Sequence, residues 1–531
     1  MTETNQTDGS TPTPQEIPQR KPIRWWLALV LLALAIVVTL GIRLWPKISF
    51  QQKNIYTAQV VIISLFLELL WVLFLSRLKW SVRLLVFGSV VGVIALTAGL
   101  FRIHGVTGDL LPILEWRWKQ PDTMAMPMGQ PTPSARGTKP IIQTTNDFPQ
   151  FLGPHRNAQV EGPTLARDWQ AQPPQKLWSH PVGAGWSGLA VLDHSAVTQE
   201  QRGDEEMVVS YDLLTGKVLW SHADPAHYNT IIAGEGPRAT PTIVSNRVYT
   251  LGATGILNCL DLETGARIWS KDIIKDNQAK VNGWGMAGSP LVVDQKVIVN
   301  AGGPNDHSLV AYDAATGNFV WGGGNTGADY SSPLLVTLAG VRQILIFAGR
   351  VSAHDVDSGK VLWDYPWPGG HPHIAIPVLL PGGRVLISSG YGTGSELLQI
   401  KKDADGKWSA TRIWKSIRLK AKFTNVVYRD GFIYGLDDGI LVCLDAADGS
   451  LKWKEGRYGH GQVILSGPLL LVMEEGGDVV LVEPVPLEQR ELTRFTALPG
   501  KTWNPPALAG DYLVVRNDKE AACYRLPVAA P

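Results

Sequence analysis

One phrase recurs along this 531-residue chain: an aspartate, then Thr-Gly or a near equivalent, then a tryptophan. The first complete copy runs from Tyr211 to Trp220. Repetition at a spacing of roughly 40 to 50 residues is typical of a repeat architecture. Each copy lies between two runs rich in β-branched residues, which is the pattern of a β-hairpin. The sequence therefore predicts a repetitive all-β domain.

Within each copy, the aspartate and the glycine are expected to shape the hairpin turn. Glycine supplies a positive φ, and the aspartate side chain bonds the amides of the turn. Because the turn fixes the register, the tryptophan falls on the same face each time. These structural repeat residues are Asp212, Gly216, Trp220, Asp261, Gly265, Trp269, Asp313, Gly317, Trp321, Asp355, Gly359, Trp363, Asp445, Gly449 and Trp453.

The tryptophan series also predicts the number of blades and the closure of the ring. With degenerate copies included, the series is Trp178, Trp220, Trp269, Trp321, Trp363, Trp414, Trp453 and Phe495. Units of this size accommodate the four strands of a propeller blade. Only three candidate strands follow Phe495, whereas an orphan strand at 176–178 precedes the first complete unit. Joining them predicts an eight-bladed β-propeller closed by an N-terminal strand, which leaves no exposed sheet edge; an open β-solenoid is the alternative.

The first third of the chain has a different composition. Three apolar runs at about 25–44, 56–75 and 84–101 have the length of transmembrane helices. Tryptophans such as Trp25 and Trp80 lie near the ends of these runs, where aromatic belts form. Buried helices of a soluble domain are the alternative. The predicted domains are a disordered tail (1–23), three transmembrane helices (24–104), a Pro/Thr-rich linker (105–147) and the propeller (148–531).

The repeat resembles a known family. The phrase from Leu260 to Trp269, preceded by the run 239–249, is similar to the PQQ-like repeat of quinoprotein dehydrogenases and of BamB-type propellers of bacterial envelope assembly. The resemblance covers about 148–526 and implies an eight-bladed propeller. Positive charges flank the apolar runs equally, so the charge rule does not orient them. Resemblance to envelope propellers favours the inner (cytoplasmic) membrane, with the propeller on the periplasmic side.

A candidate ligand site follows from the propeller geometry. Loops leading into the first strand of each blade converge on one mouth of the central channel. These loops share a small-residue–proline end, whereas the residues just before it vary between blades. Aromatic residues there would stack a planar molecule and cations would hold its carboxylates; ordinary polar loop tips are the alternative. The candidates for ligand or cofactor binding are Trp186, Arg238, Trp284, Tyr330, His373, Lys422, Asn425, His460, Gln462, Trp503 and Asn504.

Catalytic and metal sites have less support in the sequence. By resemblance to the family's catalytic aspartate, Asp329 is a candidate general base. His371 and His373 have no third ligand nearby in the sequence, so no metal site is predicted. The three cysteines occupy equivalent places in different blades and are too far apart to form a disulfide. The adjacent Cys-Cys pair of many quinoprotein alcohol dehydrogenases is absent from this sequence.

Two functions follow from these observations. A net charge of +1 argues against binding of nucleic acid. We expect a membrane-anchored, non-enzymatic binding or scaffold protein of the bacterial cell envelope, with a protein or small molecule as ligand at the channel mouth and no assigned cofactor. The alternative is a membrane-bound quinoprotein dehydrogenase that oxidises a sugar or alcohol with PQQ and Ca²⁺. The compact propeller favours the first, because it lacks long cofactor-site insertions.

Overall fold

The computed structural model describes residues 23–45, 48–119 and 143–529. The chain divides into two compact units, Met1–Arg102 and Ile103–Pro531. The predicted disordered tail lies outside the described residues, except for its last position. Much of the predicted linker also lies outside them, at 120–142.

The first unit contains the three predicted apolar helices. They are α1 (Trp25–Leu44), α2 (Phe50–Leu70), which continues as a π-helical turn (Trp71–Leu75), and α3 (Trp80–Leu100). Helix α2 begins ahead of the predicted start at Tyr56 because Ser49 forms a capping box. Ser49 Oγ accepts from Gln52 N at 3.2 Å, and Gln52 Oε1 accepts from Ser49 N at 3.0 Å. All three segments are long and apolar enough to span a membrane, as predicted.

The second unit is an eight-bladed β-propeller, and its sheets follow the repeat. Three short strands come first in the sequence after α3: β1 (Phe101–Val106), β2 (Pro112–Trp116) and β3 (Gln159–Val160). They are followed by β4 (Gln175–Pro181). Blade 1 contains β5 (Ala190–Leu192), β6 (Ser195–Arg202), β7 (Glu205–Asp212) and β8 (Val218–Asp224). A small hairpin of β9 (Asn229–Thr230) and β10 (Gly234–Glu235) follows it.

The next three blades are regular. Blade 2 contains β11 (Thr242–Val244), β12 (Arg247–Leu251), β13 (Ile256–Asp261) and β14 (Arg267–Asp272), followed by the helical turn α4 (Ile273–Asp276). Blade 3 contains β15 (Leu291–Val293), β16 (Lys296–Asn300), β17 (Leu309–Asp313) and β18 (Phe319–Gly323). Blade 4 contains β19 (Leu334–Leu338), β20 (Val341–Phe347), β21 (Arg350–Asp355) and β22 (Val361–Pro366).

The last four blades include the two that recruit N-terminal strands. Blade 5 contains β23 (Val378–Leu380), β24 (Arg384–Ser389), β25 (Gly394–Lys402) and β26 (Trp408–Ser416). Blade 6 contains β27 (Val427–Arg429), β28 (Phe432–Asp437), β29 (Ile440–Asp445) and β30 (Leu451–Arg457). Blade 7 contains β31 (Gln462–Ser466), β32 (Leu469–Met473), β33 (Asp478–Glu483) and β34 (Arg490–Thr496), with β3 added parallel to β31. Blade 8 contains β35 (Ala507–Ala509), β36 (Tyr512–Arg516), β37 (Glu520–Arg525) and β4.

The ring closes through the N-terminal strand, as the sequence predicts. Strand β4 is the outer strand of blade 8 and pairs antiparallel with β37, so that Trp178 lies opposite Cys523. The innermost strands β35 and β5 adjoin across the seam between blades 8 and 1. The last blade therefore combines strands from both ends of the propeller sequence.

The repeated tryptophan and glycine form a contact between neighbouring blades. Trp220 Nε1 donates to the backbone oxygen of Leu262 in the next blade at 2.7 Å. Gly265, in the same turn of that blade, has a φ of 69° and lies under the Trp220 ring. A Cβ at Gly265 would fall 2.4 Å from Trp220 Cε3. The glycine is thus needed both for the turn conformation and for the indole above it.

The aspartate of the repeat holds the turn in place. In the first copy, Asp212 Oδ1 accepts from Thr215 N at 2.8 Å and from Thr215 Oγ1 at 2.7 Å. Blade 5 lacks this turn, and the tryptophan of blade 4 therefore bonds differently. Trp363 Nε1 donates to Gln343 Oε1 within its own blade at 2.6 Å. In these copies the repeat residues form the hairpin turns and the contacts between neighbouring blades.

The three cysteines are buried free thiols on third strands of their blades. Burial raises the pKa of Cys259 and Cys443 to about 11 and that of Cys523 to about 12. A buried protonated thiol behaves as a small apolar side chain.

Candidate functional site

The beginning of the predicted linker is a β-hairpin that belongs to the propeller unit. Strands β1 and β2 form a two-stranded sheet, and the turn between them is closed by Thr107 N, which donates to Leu111 O at 2.9 Å. Leu110 has a φ of 58°, in the left-handed region. We call residues 103–116 the mouth hairpin, because its turn contacts the loops that lead into the first strands of blades 6, 7 and 8.

Gly108 at the tip of the mouth hairpin makes the closest contacts. Its N–H donates to Glu475 Oε1 at 2.7 Å, and its carbonyl accepts from Lys422 Nζ at 2.5 Å. A Cβ at this position would fall 2.0 Å from Cδ2 of the His460 ring. Any side chain larger than hydrogen would require the hairpin or His460 to move.

Charged and polar contacts hold the residues on either side of Gly108. His460 Nε2 lies 3.2 Å from Asp109 Oδ1. Lys501 Nζ donates to Val106 O at 3.2 Å. The propeller therefore binds the tip through main-chain atoms and one carboxylate.

Further from the tip, two ion pairs hold the strands of the hairpin. His104 Nε2 lies 3.0 Å from Asp518 Oδ2, and Lys519 Nζ lies 3.1 Å from Glu115 Oε1. Hydrogen bonding and the charge of His104 outweigh the burial of Asp518 and hold the pKa of that carboxyl below its ordinary value.

Aromatic rings form the wall around the tip. Trp186 and Trp503 have ring centroids 4.9 Å apart, and Lys501 Nζ lies 4.4 Å and 4.2 Å from the two centroids. Phe423 lies 5.0 Å from Trp503 and 4.9 Å from His460. This geometry allows a cation–π interaction of the Lys501 ammonium with both indoles.

The aromatic wall continues toward blades 3 and 4. The Trp284 ring lies 6.3 Å from Phe423 and 6.2 Å from Tyr330. The structure therefore joins, through ring and charge contacts, these sequence-predicted residues: Trp186, Trp284, Tyr330, Lys422, His460 and Trp503. Phe423, Glu475 and the mouth hairpin itself were not predicted from the sequence. The hairpin has a local signal, Gly108-Asp109 between two β-rich runs, whereas nothing in the sequence singles out Glu475.

The other predicted ligand residues bond the protein backbone. Asn425 Oδ1 accepts from Ile376 N at 3.2 Å, and Asn504 Nδ2 donates to Ser187 O at 2.8 Å. Gln462 Nε2 donates to the carbonyls of Phe423 and Trp503 at 2.9 and 3.1 Å. These amides fasten the loops of neighbouring blades to one another.

Arg238 is similarly engaged with backbone carbonyls. Its guanidinium donates to the carbonyls of Ala233, Gly234 and Gly236 at 2.6, 3.1 and 2.5 Å. Burial lowers the pKa of Arg238 to about 10. The side chain holds the loop that carries β9 and β10.

Asp329 and His373 form a tight pair between blades 4 and 5. Asp329 Oδ2 lies 2.6 Å from His373 Nδ1, and Asp329 Oδ1 accepts from His373 N at 2.9 Å. Asp329 Oδ1 also accepts from Tyr330 N at 3.0 Å. His371 instead stacks on Tyr391, with centroids 5.2 Å apart. Both oxygens of Asp329 thus serve as acceptors for the loop that contains His373.

Lys422 is the most deeply buried cation of the mouth, with only 3% of its surface exposed. Burial lowers its pKa to about 8, and the charges of Asp109, Asp438 and Glu475 act in the opposite direction. Lys422 Nζ also lies 5.2 Å from the centroid of the Tyr391 ring. A buried ammonium needs acceptors, and the Gly108 carbonyl is one of them.

A second N-terminal segment, residues 148–160, bonds the innermost strands of several blades. Phe148 pairs with Val191 of β5, and Pro149 O accepts from Ile243 N of β11 at 2.8 Å. Arg156 donates to the carbonyls of Ser289 and Pro290 at 2.9 Å. Strand β3 completes the crossing by pairing with the last residues of β31. This segment therefore connects blades 1, 2, 3 and 7.

The residues at the mouth do not fit PQQ with Ca²⁺. Calcium requires several converging oxygen ligands, and the part of the chain that the structure describes contains no group of three or more His, Cys, Asp or Glu side chains arranged to hold a metal. Lys422 and Lys501, which would hold the carboxylates of such a ligand, bond backbone carbonyls of the mouth hairpin.

Comparisons with known proteins agree with this architecture. Residues 204–455 match the sequence family described as outer membrane protein assembly factor BamB. The BamB protein of Shewanella oneidensis is 22% identical over 358 residues, covering 64% of this chain and 86% of the relative. The quinohemoprotein alcohol dehydrogenase ADH-IIG of Pseudomonas putida is 28% identical over 125 residues, 22% of this chain and only 17% of the relative. The match to the Comamonas testosteroni enzyme spans 21% of that protein.

A solved structure of a quinohemoprotein alcohol dehydrogenase has the same fold at low sequence identity. The structure of ADHIIG from Pseudomonas putida HK5 superposes with a TM-score of 0.50 and 13% identity, covering 73% of this chain and 81% of that chain. BamB from Moraxella catarrhalis has a TM-score of 0.49 and 17% identity, covering 67% of this chain and 99% of that chain. The propeller thus contains a stretch, residues 204–455, that matches the BamB family model, and its PQQ-like repeats are similar to those of BamB-type and quinoprotein propellers.

Proposed function

We propose that this chain is a non-enzymatic, membrane-anchored propeller that binds a protein in the bacterial cell envelope. The observation that carries the proposal is the mouth hairpin. It lies where a propeller would hold a small ligand, and it engages Lys422, Glu475 and Lys501 through main-chain atoms. Relatives that align over most of their length are named as outer membrane protein assembly factors, which supports a role in binding proteins.

The proposed location is the inner (cytoplasmic) membrane, with the propeller on the periplasmic side. Support comes from the three apolar helices and from the envelope relatives. A phosphatase reporter fused after Pro531 tests this: we expect activity, because such a reporter is active only after export. A cytoplasmic reporter signal would contradict the proposed orientation.

The alternative function, a PQQ-dependent dehydrogenase, would require the mouth to open. Cofactor binding would have to displace Gly108 from Lys422 and Glu475. The cofactor would then have to supply a hydrogen-bond acceptor for the buried ammonium of Lys422. The quinoprotein relatives support the shared fold alone.

One experiment separates the two functions. The detergent-solubilised protein is titrated with PQQ and Ca²⁺ while tryptophan fluorescence is followed, and dye-linked oxidation of sugars and alcohols is measured in parallel. We expect neither saturable binding nor dye reduction. Saturable PQQ binding that is weakened by Trp503→Ala, but not by Trp408→Ala on the outer strand of blade 5, would contradict the proposal.

A further inference from the structure

We propose that the channel mouth is a recognition site for a peptide turn in which glycine precedes an acidic residue. The mouth hairpin occupies this site in cis, in the place that the turn of a partner protein takes. This inference rests on the proposed protein-binding function, and it names the chemistry by which a partner is recognised.

The tip of the mouth hairpin is bound through its main chain. Lys422 binds the carbonyl of Gly108, Glu475 binds its N–H, and Lys501 binds the carbonyl of Val106. Main-chain groups are common to all peptides. Another turn of the same shape therefore offers the same two acceptors and one donor.

Two features of the site select the sequence of the bound turn. At the position of Gly108, the His460 ring leaves no room for a Cβ. At the next position, the Asp109 carboxylate lies 3.2 Å from His460 Nε2 and its charge acts on Lys422. Glycine followed by an acidic residue matches both the shape and the charge of the mouth.

The propeller itself positions the residues that recognise the turn. Glu475 Oε2 accepts from His460 N at 2.9 Å, and Glu475 Oε1 accepts from Trp503 Nε1 at 2.9 Å. Lys422 Nζ lies over Tyr391 and 5.5 Å from the centroid of Phe423. None of these contacts involves the hairpin, so the site is largely formed before a turn binds, which reduces the entropy lost on binding.

The mouth hairpin can be exchanged for another turn. An isolated two-stranded hairpin is at best marginally stable, so the mouth hairpin depends on its contacts with the propeller. The ion pair between Lys519 and Glu115 involves a lysine side chain that is 49% exposed. Exposed ion pairs contribute little to the stability of a folded protein. When the hairpin leaves, buried Lys422 loses an acceptor, which favours replacement by another turn over an empty mouth.

The test uses the full-length protein in detergent and a fluorescent, cyclised peptide with the sequence of residues 103–116. Two variants release the cis hairpin by different means: Gly108→Val by steric clash with His460, and Asp109→Arg by repulsion from Lys422. We expect the peptide to bind both variants saturably. Wild type should bind at least ~10-fold more weakly, because the tethered copy competes at an effective concentration on the order of mM.

Specificity is tested with a control peptide and a second substitution. The same peptide with Gly108→Val should not bind. Adding Lys422→Met to the Gly108→Val protein should weaken peptide binding at least ~10-fold, because a hydrogen bond from a charged group is lost. Lys407→Met, at an exposed hairpin tip in blade 5, should have no effect on binding.

Several outcomes would overturn the proposal. It is wrong if both variants melt as wild type does and bind no peptide, or if the Gly108→Val peptide binds equally well. If both variants unfold, the wild-type protein is titrated with millimolar peptide instead. Absence of saturable peptide binding would then refute the proposal that a second turn can replace the mouth hairpin. PQQ binding and dye reduction are read separately in the same preparation, so failure of the proposed function is distinguished from failure of this inference.

Discussion

The contact between the repeated tryptophan and the glycine of the next blade gives a quantitative prediction. Gly265→Ala places a methyl group 2.4 Å from Trp220 Cε3, at a backbone φ of 69°. Gly340→Ala is the matched control: its φ is 75°, and the added Cβ meets nothing within 4 Å. Both substitutions cost about 1–2 kcal/mol for an alanine in the left-handed region. Only Gly265→Ala also displaces the indole.

The difference between the two variants isolates the interblade contact. Trp220 is 1% exposed and its Nε1 bonds Leu262 O at 2.7 Å, so moving the ring would disturb a buried contact and a hydrogen bond. Forcing extra volume into such a site costs about 1–3 kcal/mol. With an unfolding entropy of about 2.1 cal/mol/K per residue over roughly 380 propeller residues, Gly265→Ala should melt about 1–4 °C below Gly340→Ala.

Differential scanning calorimetry and urea unfolding measure the effect. Both variants are compared with wild type in the same detergent, and the urea midpoints should rank wild type, Gly340→Ala and Gly265→Ala in decreasing stability. Equal destabilisation by the two alanines would show that the glycine serves only the turn conformation. The conclusion that the repeat joins neighbouring blades would then be wrong.

Three further predictions concern buried polar groups. Burial raises the pKa of Glu206 to about 7 from an ordinary value near 4.5; the folded state therefore holds a proton that the unfolded state has lost, and stability should fall by up to ~3 kcal/mol as pH rises through this window. In urea unfolding at several pH values, Glu206→Gln should remove this slope, whereas Glu205→Gln at the exposed neighbour should keep it. Arg516, 1% exposed, donates to Gly183 O and Gln199 O across the seam between blades 8 and 1, so Arg516→Met should lower the unfolding free energy by about 2–5 kcal/mol; an unchanged urea midpoint would contradict this. Because burial raises all three thiol pKa values, iodoacetamide at pH 8 should label no cysteine in the native protein and all three in urea, at Cys259, Cys443 and Cys523.

The blade architecture could be predicted because its signals are local. The aspartate, the glycine and the tryptophan of one copy lie within one hairpin, and the Asp212–Thr215 turn forms from residues three positions apart. The apolar runs are equally local, since their length alone matches a bilayer. Closure of the ring followed from counting strands at the two ends of the repeat array. What the repeat does between blades was not predicted, because the Trp220–Leu262 bond joins different repeats.

The candidate site was predicted only in part, for a related reason. Propeller geometry brings Trp186 and Trp503 together, and the sequence placed both at the mouth by their position before the first strands. Their partner in the mouth was not predicted, because Gly108 and Glu475 are separated by 367 positions. Similarly, the pairing of Asp329 with His373 follows from the meeting of two loops from adjacent blades.

The sequence by itself thus determined the repeat, the eight blades, the strand that closes them and the three apolar helices, since each depends on periodicity, on length or on residues close together in the chain. Only the tertiary structure decided what lies in the channel mouth. A segment that reads as linker in composition becomes a hairpin with its glycine between His460, Lys422 and Glu475. Short segments such as this hairpin gain their stability from distant residues, so local sequence does not reveal where they bind.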